Sequence, residues 1–247
     1  MALNTKILLA LALIIVIACS AIFVGLQYQA DSVIPADKDT LFQLAAFNTF
    51  STGKYAGLMP YNELEKHGDF GIGTLEGLDG EMIALDGEFY HIPSSGPPVK
   101  VEPTQTAPYA TVTYFEADRT YNVAGFNYTQ LKSYLDGQLD TSKDVIYAIK
   151  LSGTYEYAQT RSPQKQIEPY PNLTQALKTQ AVFNLSQFAG TAVGFWFPAS
   201  MDGVDYAGYH IHLITDDRTA GGHLLDCIIS NATVEVDIIN SYRLVLP

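Results

Sequence analysis

Three of the protein's five histidines stand close together, at His210, His212 and His223. On a β-strand, residues i and i+2 point to the same face, so the first two imidazoles project together, about 6–7 Å apart along the chain. Residues 215–222 contain two aspartates and two glycines, which favour a turn that brings His223 beside the first pair. Three imidazoles on one sheet face are the ligand set of a catalytic zinc site with an open position. The alternative is a chance HxH pattern, with His223 unrelated to it.

Two charged residues outside this segment have side chains suited to acid–base or carboxylate chemistry. Arg161 follows an apolar strand pattern and precedes Ser162-Pro163, and its rigid fork of donors suits a carboxylate. A surface salt bridge would explain Arg161 as well. Glu81 follows a turn and begins the apolar strand MIAL, so its partly desolvated carboxylate could act as acid or base. A solvated Glu at a hairpin end is an equally good interpretation, and Glu88 has the same place in a second LDGE tetrad.

Several other kinds of site are excluded or disfavoured. On a strand, Cys227 lies about 13 Å beyond His223, so we expect a core cysteine rather than a fourth ligand. The sequence has no GxSxG, P-loop or CxxC motif, and the GDFGIGT run opens no helix, which argues against phosphate binding. A net charge of −12, from 14 basic and 26 acidic residues, argues against nucleic-acid binding. The 47% hydrophobic and 12% aromatic content excludes a disordered chain.

The elements that must position these residues are mainly strands in the first half of the chain. Asp39 or Thr40 can cap a helix through Phe47, and a short helix over 61–67 should stop at Gly68. Three antiparallel strands follow over residues 69–92, joined by turns at Asp79-Gly80 and Asp86-Gly87. A Pro-rich surface connection over 93–110 then leads to a strand at 112–115.

The second half of the chain has more strands and two more helices. A helix is predicted over 127–135, and Thr174 is expected to cap another, whose Leu177, Ala181, Leu185 and Phe188 recur at helical spacing. Strands are predicted over 145–152, 154–160, 191–197, 206–214, 223–229 and 233–238. With no true βαβ alternation, the fold class is α+β or mixed α/β.

The N-terminus is a separate segment. Residues 7–26 are an unbroken apolar run, and about 20 such residues span a bilayer as a helix. An uncleaved anchor, a lipoprotein lipidated at Cys19 and a cleaved signal all remain open. We therefore assign residues 1–30 to a signal or membrane anchor and 31–40 to a linker. Each alternative places residues 31–247 outside the cytoplasm, membrane-anchored or secreted, and leaves Cys227 without a disulfide partner.

The sequence resembles the acetolactate decarboxylase family over nearly all of residues 41–227. The most specific segment is YAGYHIHLITDDRTAGGHLLDC, at 206–227. The other segments that carry the resemblance are LFQLAAFNTFSTGKYAG (41–57), GDFGIGTLEGLDGEMIALDGEFYHI (68–92), the 155–170 stretch with its TRSPQ and PY elements, and GTAVGFWFP (190–198).

The resemblance implies a fold and a set of site residues. We expect a domain at 41–247 with two strand-rich mixed sheets and a few helices, besides the N-terminal apolar helix. Its N-terminal half would span about 41–140, and its metal-binding half about 141–247. The family's zinc ligands correspond to His210, His212 and His223, its Arg and Glu to Arg161 and Glu81, and a Thr near its pocket to Thr74. A homodimer is implied by the family alone.

The activity implied is zinc-dependent decarboxylation of acetolactate to acetoin and CO2. Arg161 would orient the substrate and Glu81 would deliver a proton. One difference concerns a tail after the VLP element, from which a Glu reaches the family's metal site; here VLP stands at 245–247. Water, Glu81 or another group would take its place, or activity would be weakened. An extracytoplasmic zinc-dependent binding protein and a metal-assisted hydrolase remain alternative functions.

Overall fold

The computed structural model describes residues 39–247, which form two main sheets, a two-stranded ribbon and a few short helices. The seven strands of the first sheet are β1 (Thr40–Leu44), β3 (Phe70–Leu75), β4 (Asp79–Leu85), β5 (Glu88–Ile92), β6 (Val99–Lys100), β8 (Tyr109–Thr113) and β14 (Ser241–Val245). Their order is β14-β1-β8-β3-β4-β5-β6; β1 and β14 are parallel, and all other neighbouring strands of this sheet are antiparallel.

The strands of the second sheet are β9 (Arg119–Asn127), β10 (Ile146–Ser162), β11 (Ala181–Phe197), β12 (Gly208–Thr215) and β13 (Gly221–Ile239). This sheet is antiparallel and has the order β10-β11-β12-β13-β9. Because β10 also pairs with β13, strands β10 to β13 close on themselves. The ribbon joins β2 (Met59–Pro60) to β7 (Thr106–Ala107).

The α-helices are short, and the longest is the best capped. They are α1 (Phe47–Ser51), α2 (Tyr61–Leu64), α3 (Tyr128–Gln138) and α4 (Leu173–Ala176). Asn127 begins α3 with a capping box, in which its side chain accepts from the Gln130 backbone N–H and the Gln130 side chain accepts from the Asn127 backbone N–H. This reciprocal pair satisfies two of the donors that a helix start leaves open. The predicted helices at 61–67 and 127–135 are both confirmed. The first is α-helical over Tyr61–Leu64 and continues as a 3-10 turn to His67.

A hydrophobic core joins the two sheets. Ile72 and Ile83 of the first sheet pack with Ala148, Val193 and Phe195 of the second, and all five are almost fully buried. Alternate residues of each strand point to opposite faces, so these contacts fix how β4 lies against β10 and β11. The packing therefore brings side chains of both sheets to a common polar cluster, described below.

Two predicted helices are strands instead. Residues 40–44 form β1, which lies between β14 and β8, with its residues after Thr40 buried; pairing on both sides outweighs the helix cap expected at Asp39 or Thr40. The helix expected from Thr174 ends after a few residues, and Ala181, Leu185 and Phe188 belong to β11. Gln187 has a φ of 52°, which interrupts the strand's alternation. Leu185 and Phe188 therefore both pack against the core, at a spacing that imitates a helix.

Strand boundaries differ from expectation in several places. The turn at Asp86-Gly87 is confirmed, but the preceding turn lies at 76–78, and Asp79 already begins β4. The strands predicted at 145–152 and 154–160 are one strand, β10, and those at 223–229 and 233–238 are one strand, β13. The Pro-rich connection contains β6 and β7.

The overall expectation of two strand-rich mixed sheets with few helices is confirmed for the described residues, although the second sheet is antiparallel. The division into halves near residue 140 stays a prediction; β9 pairs in the second sheet and β14 in the first. The apolar segment 7–26 and its anchor, lipid or signal role lie outside the described residues. Among residues 39–247, no helix is long and apolar enough to cross a bilayer.

Candidate active site

The three histidines meet where β12 and β13 form a hairpin. His212 lies directly opposite His223 in the register of the two strands, and His210 projects from β12 on the same face as His212. The ring centroids are 5.1–5.3 Å apart in all three pairs, and one ring nitrogen of each histidine lies within 4.8 Å of the other two. The structure thus brings together the three residues that the sequence pattern selected.

The hydrogen bonding of these rings leaves a nitrogen free on each. His212 Nδ1 donates to the Met82 carbonyl oxygen at 2.9 Å, and because a carbonyl only accepts, the proton is on Nδ1 and the Nε2 lone pair is available. His212 Nε2 and the Nδ1 atoms of His210 and His223 are buried without a hydrogen-bond partner among the described residues. Burial lowers the pKa of His210 to about 3 and lowers those of His212 and His223, with Arg161 adding to each shift, so the rings are neutral.

Glu81 comes from the other sheet and contacts this cluster. It projects from β4, is 7% exposed, and its Oε2 lies 3.5 Å from His212 Nε2. Its Oε1 lies 3.6 Å from Arg161 Nη1. Burial raises the pKa of Glu81 to about 7, and the positive charge of Arg161 opposes that shift. The sequence left Glu81 either solvated or desolvated, and the structure places it in a desolvated environment.

Arg161 lies near the end of β10, directly opposite His223 on β13. Its guanidinium is mostly buried and its Nη1 donates to Gln180 Oε1 at 3.2 Å. The strands approach closely here because Gly222, at a φ of 132°, has no Cβ; a Cβ would collide with the Arg161 carbonyl oxygen. The second glycine of the GGH element is thus needed sterically, because the absence of a Cβ at Gly222 lets the backbone of Arg161 lie beside His223.

The cluster lines a cavity of about 360 Å³ between the sheets. Thr74 is also on its wall, but its hydroxyl donates to the Gly80 carbonyl oxygen at 2.6 Å, so it braces the turn before Glu81. Cys227 is not part of this wall and is fully buried in the core of the second sheet, as the sequence predicted.

Several cavity residues were not identified from the sequence. Tyr128 and Lys132 reach the cavity from α3, and Tyr209 from β12. Gln180, which holds Arg161, precedes β11. The i, i+4 spacing of Tyr128 and Lys132 was the available signal, but the same spacing occurs on any solvated helix face.

The donor set fits a divalent metal ion. Histidine ligands must be neutral imidazoles with a free lone pair. Each of the three rings is neutral and has one buried nitrogen without a hydrogen-bond partner among the described residues, and one ring nitrogen of each lies within 4.8 Å of the other two. In addition, His212 donates its other N–H to a backbone carbonyl, which is the usual way in which a ligating ring is oriented. Leaving three such nitrogens buried and unpaired is costly unless something binds them.

Comparisons with known proteins identify similar sequences and a similar solved structure. The sequence profile of the family described as "Alpha-acetolactate decarboxylase" matches residues 41–247. A relative of that name from Methanosarcina mazei is 41% identical over 210 residues, covering 85% of this chain and 73% of the relative. Another, from Bacillus subtilis, is 35% identical over 208 residues, covering 84% and 81%. The crystal structure of alpha-acetolactate decarboxylase from B. subtilis strain 168 superposes with a TM-score of 0.82 at 34% identity, covering 84% of this chain and 89% of that chain.

Proposed function

The chain belongs to the alpha-acetolactate decarboxylase family, whose members are carboxy-lyases, and we propose that it converts acetolactate to acetoin and CO2 with a zinc ion at the three histidines. The observation that carries this proposal is the meeting of a neutral three-histidine cluster with a buried Glu–Arg pair in one cavity. Each part meets one demand of decarboxylating a β-keto acid.

The first demand is stabilisation of negative charge on oxygen, because loss of CO2 leaves an enediolate. A zinc ion bound by three neutral imidazoles would keep its double positive charge and would supply a Lewis acid for the ketone and hydroxyl oxygens. His210, His212 and His223 would hold it, and their burial keeps them neutral over the physiological pH range. Hydrogen bonding of His212 to Met82 fixes the orientation of that ring.

Arg161 would bind and orient the substrate. Its guanidinium is held by Gln180 and lies 3.6 Å from Glu81, so its direction is set before any ligand enters. The fork of donors can take a carboxylate or a substrate oxygen, which places the bond to CO2 relative to the histidines. A lysine would keep the charge but lose the paired donors.

Glu81 would deliver the proton that completes the reaction. Its carboxyl group is buried between Arg161 and His212, so a proton on Oε1 or Oε2 is shielded from water until it is transferred to the reacting carbon. Delivery from one fixed side gives a chiral acetoin. The neighbouring sheet supplies this group, so the two sheets together complete the site.

The proposal is tested by measuring CO2 and acetoin from acetolactate, with the protein as purified, after chelation and after zinc is added back. We expect release of both products, loss of release on chelation, and recovery with zinc. Release that survives complete metal removal would contradict the zinc role. Metal binding without any release would favour a binding protein, whereas turnover of an ester without release of CO2 would favour a hydrolase.

A further inference from the structure

We propose that Lys132 is a specificity-determining residue that contacts the carboxylate of the entering substrate at the wall of the cavity formed by α3. This inference rests on the proposed function, because it concerns the same cavity and a substrate of the same class, a small anionic hydroxy acid. Lys132 shares the lining of the cavity with the three histidines, Glu81 and Arg161.

The charges that line the cavity leave Lys132 uncompensated. Glu81 is the one carboxylate among the lining residues, and it faces Arg161 at 3.6 Å. None of the ion pairs found within residues 39–247 includes Lys132. The protein as a whole carries −12, so its surface repels an anion, and a local positive charge at the cavity offsets that repulsion.

The geometry of α3 keeps this ammonium group free. Tyr128, Lys132 and Asp136 follow at i, i+4 and i+8, so they lie along one face of the helix. On a helix, an acidic residue at i+4, here Asp136, commonly pairs with a lysine at i. The Oδ1 of Asp136 instead accepts a hydrogen bond of 2.7 Å from the Tyr209 hydroxyl. Lys132 Nζ instead lies over the Tyr128 ring, 4.4 Å from its centroid.

This arrangement differs from that of an ordinary surface lysine. Tyr128 and Tyr209 both line the cavity, so the aromatic contact and the hydrogen bond to Asp136 hold the α3 face toward the cavity. A cation on an aromatic face keeps most of its donors available, because the ring accepts through its π-electrons and occupies none of them fully. Lys178, by contrast, is an exposed lysine on the 3-10 turn after α4 and lies outside the lining.

The kinetic test compares Lys132→Met and Lys132→Arg with a control, Lys178→Met, that removes the same formal charge. With zinc-loaded protein at low ionic strength, we expect Lys132→Met to raise KM for acetolactate on the order of fivefold, as the loss of one partly exposed ion pair of about 1 kcal/mol gives. The kcat should stay within about twofold, because Lys132 acts on binding rather than on the chemical step. Lys132→Arg should restore KM, Lys178→Met should leave it unchanged, and added salt should shrink the difference.

A binding test separates this inference from the proposed function. Calorimetric titration with 2-hydroxyisobutyrate, an unreactive hydroxy acid, and with its neutral amide measures recognition of charge without turnover. Lys132→Met should weaken binding of the acid by a factor similar to that in KM and leave the amide unaffected. If acetolactate is not decarboxylated but the acid shows this dependence on Lys132, the function fails and the inference stands. If decarboxylation proceeds and neither KM nor acid binding responds to Lys132→Met, or if acid and amide weaken alike, the inference is overturned.

Discussion

Two buried polar clusters near the cavity differ in how their atoms are satisfied. In the first, the three histidines lie close enough together to share a metal ion, and each has a buried ring nitrogen without a hydrogen-bond partner among the described residues. In the second, the fully buried Asp205 accepts hydrogen bonds from the Tyr109 hydroxyl at 2.8 Å, the Thr111 hydroxyl at 3.0 Å and the Tyr206 backbone N–H at 2.6 Å. Both clusters interrupt apolar packing, but only the first leaves donors or acceptors open.

This difference indicates that the histidine cluster binds a ligand, whereas the Asp205 cluster stabilises the fold. An unpaired buried polar atom costs free energy, so a protein tolerates three of them together only where a ligand satisfies them. In the Asp205 cluster, hydrogen bonds within the protein offset the cost of desolvating the carboxylate, and they connect β8 to the loop before β12. Variants in the first cluster should therefore change chemistry, and variants in the second should change stability.

The largest effect is expected for His223→Ala. It removes one of three ligands, so zinc binding should fall below detection in a metal analysis of the purified protein, and CO2 release should be abolished. The unfolding free energy of the metal-free protein should change by only about 1 kcal/mol, because His223 Nδ1 has no hydrogen-bond partner among residues 39–247.

The matched control for this change is His91→Ala. His91 is buried on β5, its Nε2 lies 3.6 Å from Asp79 Oδ1, and it is not one of the three clustered histidines. This variant should keep one zinc per chain. Equal loss of metal in both variants would show that the histidine cluster has no special role.

A smaller effect on catalysis is expected for Glu81→Gln. Glutamine keeps the size of the side chain but cannot deliver the proton, so the rate of acetoin formation should fall roughly 10²–10⁴-fold while zinc stays bound. Glu88→Gln, in the second LDGE tetrad, changes an exposed carboxylate that pairs with Lys100 on the surface and should leave the rate unchanged. A Glu81→Gln enzyme with the wild-type rate would contradict the proton-delivery role.

The smallest effect is on stability and concerns Asp205→Asn. Burial raises the pKa of Asp205 to about 6, above its ordinary 3.8, so ionisation costs the folded state free energy as pH rises through this range. The contribution of Asp205 is therefore most favourable below about pH 4 and is lost by about pH 6–7, a change on the order of 2–3 kcal/mol.

Urea unfolding from pH 4 to pH 7 measures this change. The stability of Asp205→Asn relative to the wild type should rise by that amount across the range, while the exposed Asp86→Asn should show no such trend. Burial also raises the pKa of Asp237 to about 6, but this carboxylate contributes the same pH dependence of stability to the wild type and to both variants. A flat difference between Asp205→Asn and the wild type would mean that Asp205 does not titrate as a buried carboxylate.

The histidine cluster was predictable because it is local. An i, i+2 pair on one strand and a turn-forming segment of Asp and Gly are enough to place His223 opposite His212, and the register confirms that placement. The approach of Glu81 to Arg161 was not predictable from spacing, since it joins two sheets through core packing that no local pattern encodes. Local context selected both residues as candidates but left a surface salt bridge and a solvated Glu open, and the family resemblance supplied their expected roles.

The prediction of a long helix after Thr174 was also wrong because of long-range pairing that no local pattern encodes. Leu185 and Phe188 have helical spacing, but pairing with β10 decides the structure of this segment, and Phe188 stacks on Tyr155 with its ring centroid at 5.0 Å. Likewise, β1 is a strand because β8 and β14 supply partners on both sides. The intrinsic helix preference of a segment is outweighed where another strand is available for pairing.

The parallel pairing of β1 with β14 has a consequence for biosynthesis. Thr40 meets Ser241, so one of the earliest described residues to leave the ribosome obtains this neighbour only when almost the whole domain has been translated. Contacts of such long sequence separation form slowly. Until then one edge of β1 is open to wrong pairing, and nascent chains released before residue 245 are expected to depend most on chaperones.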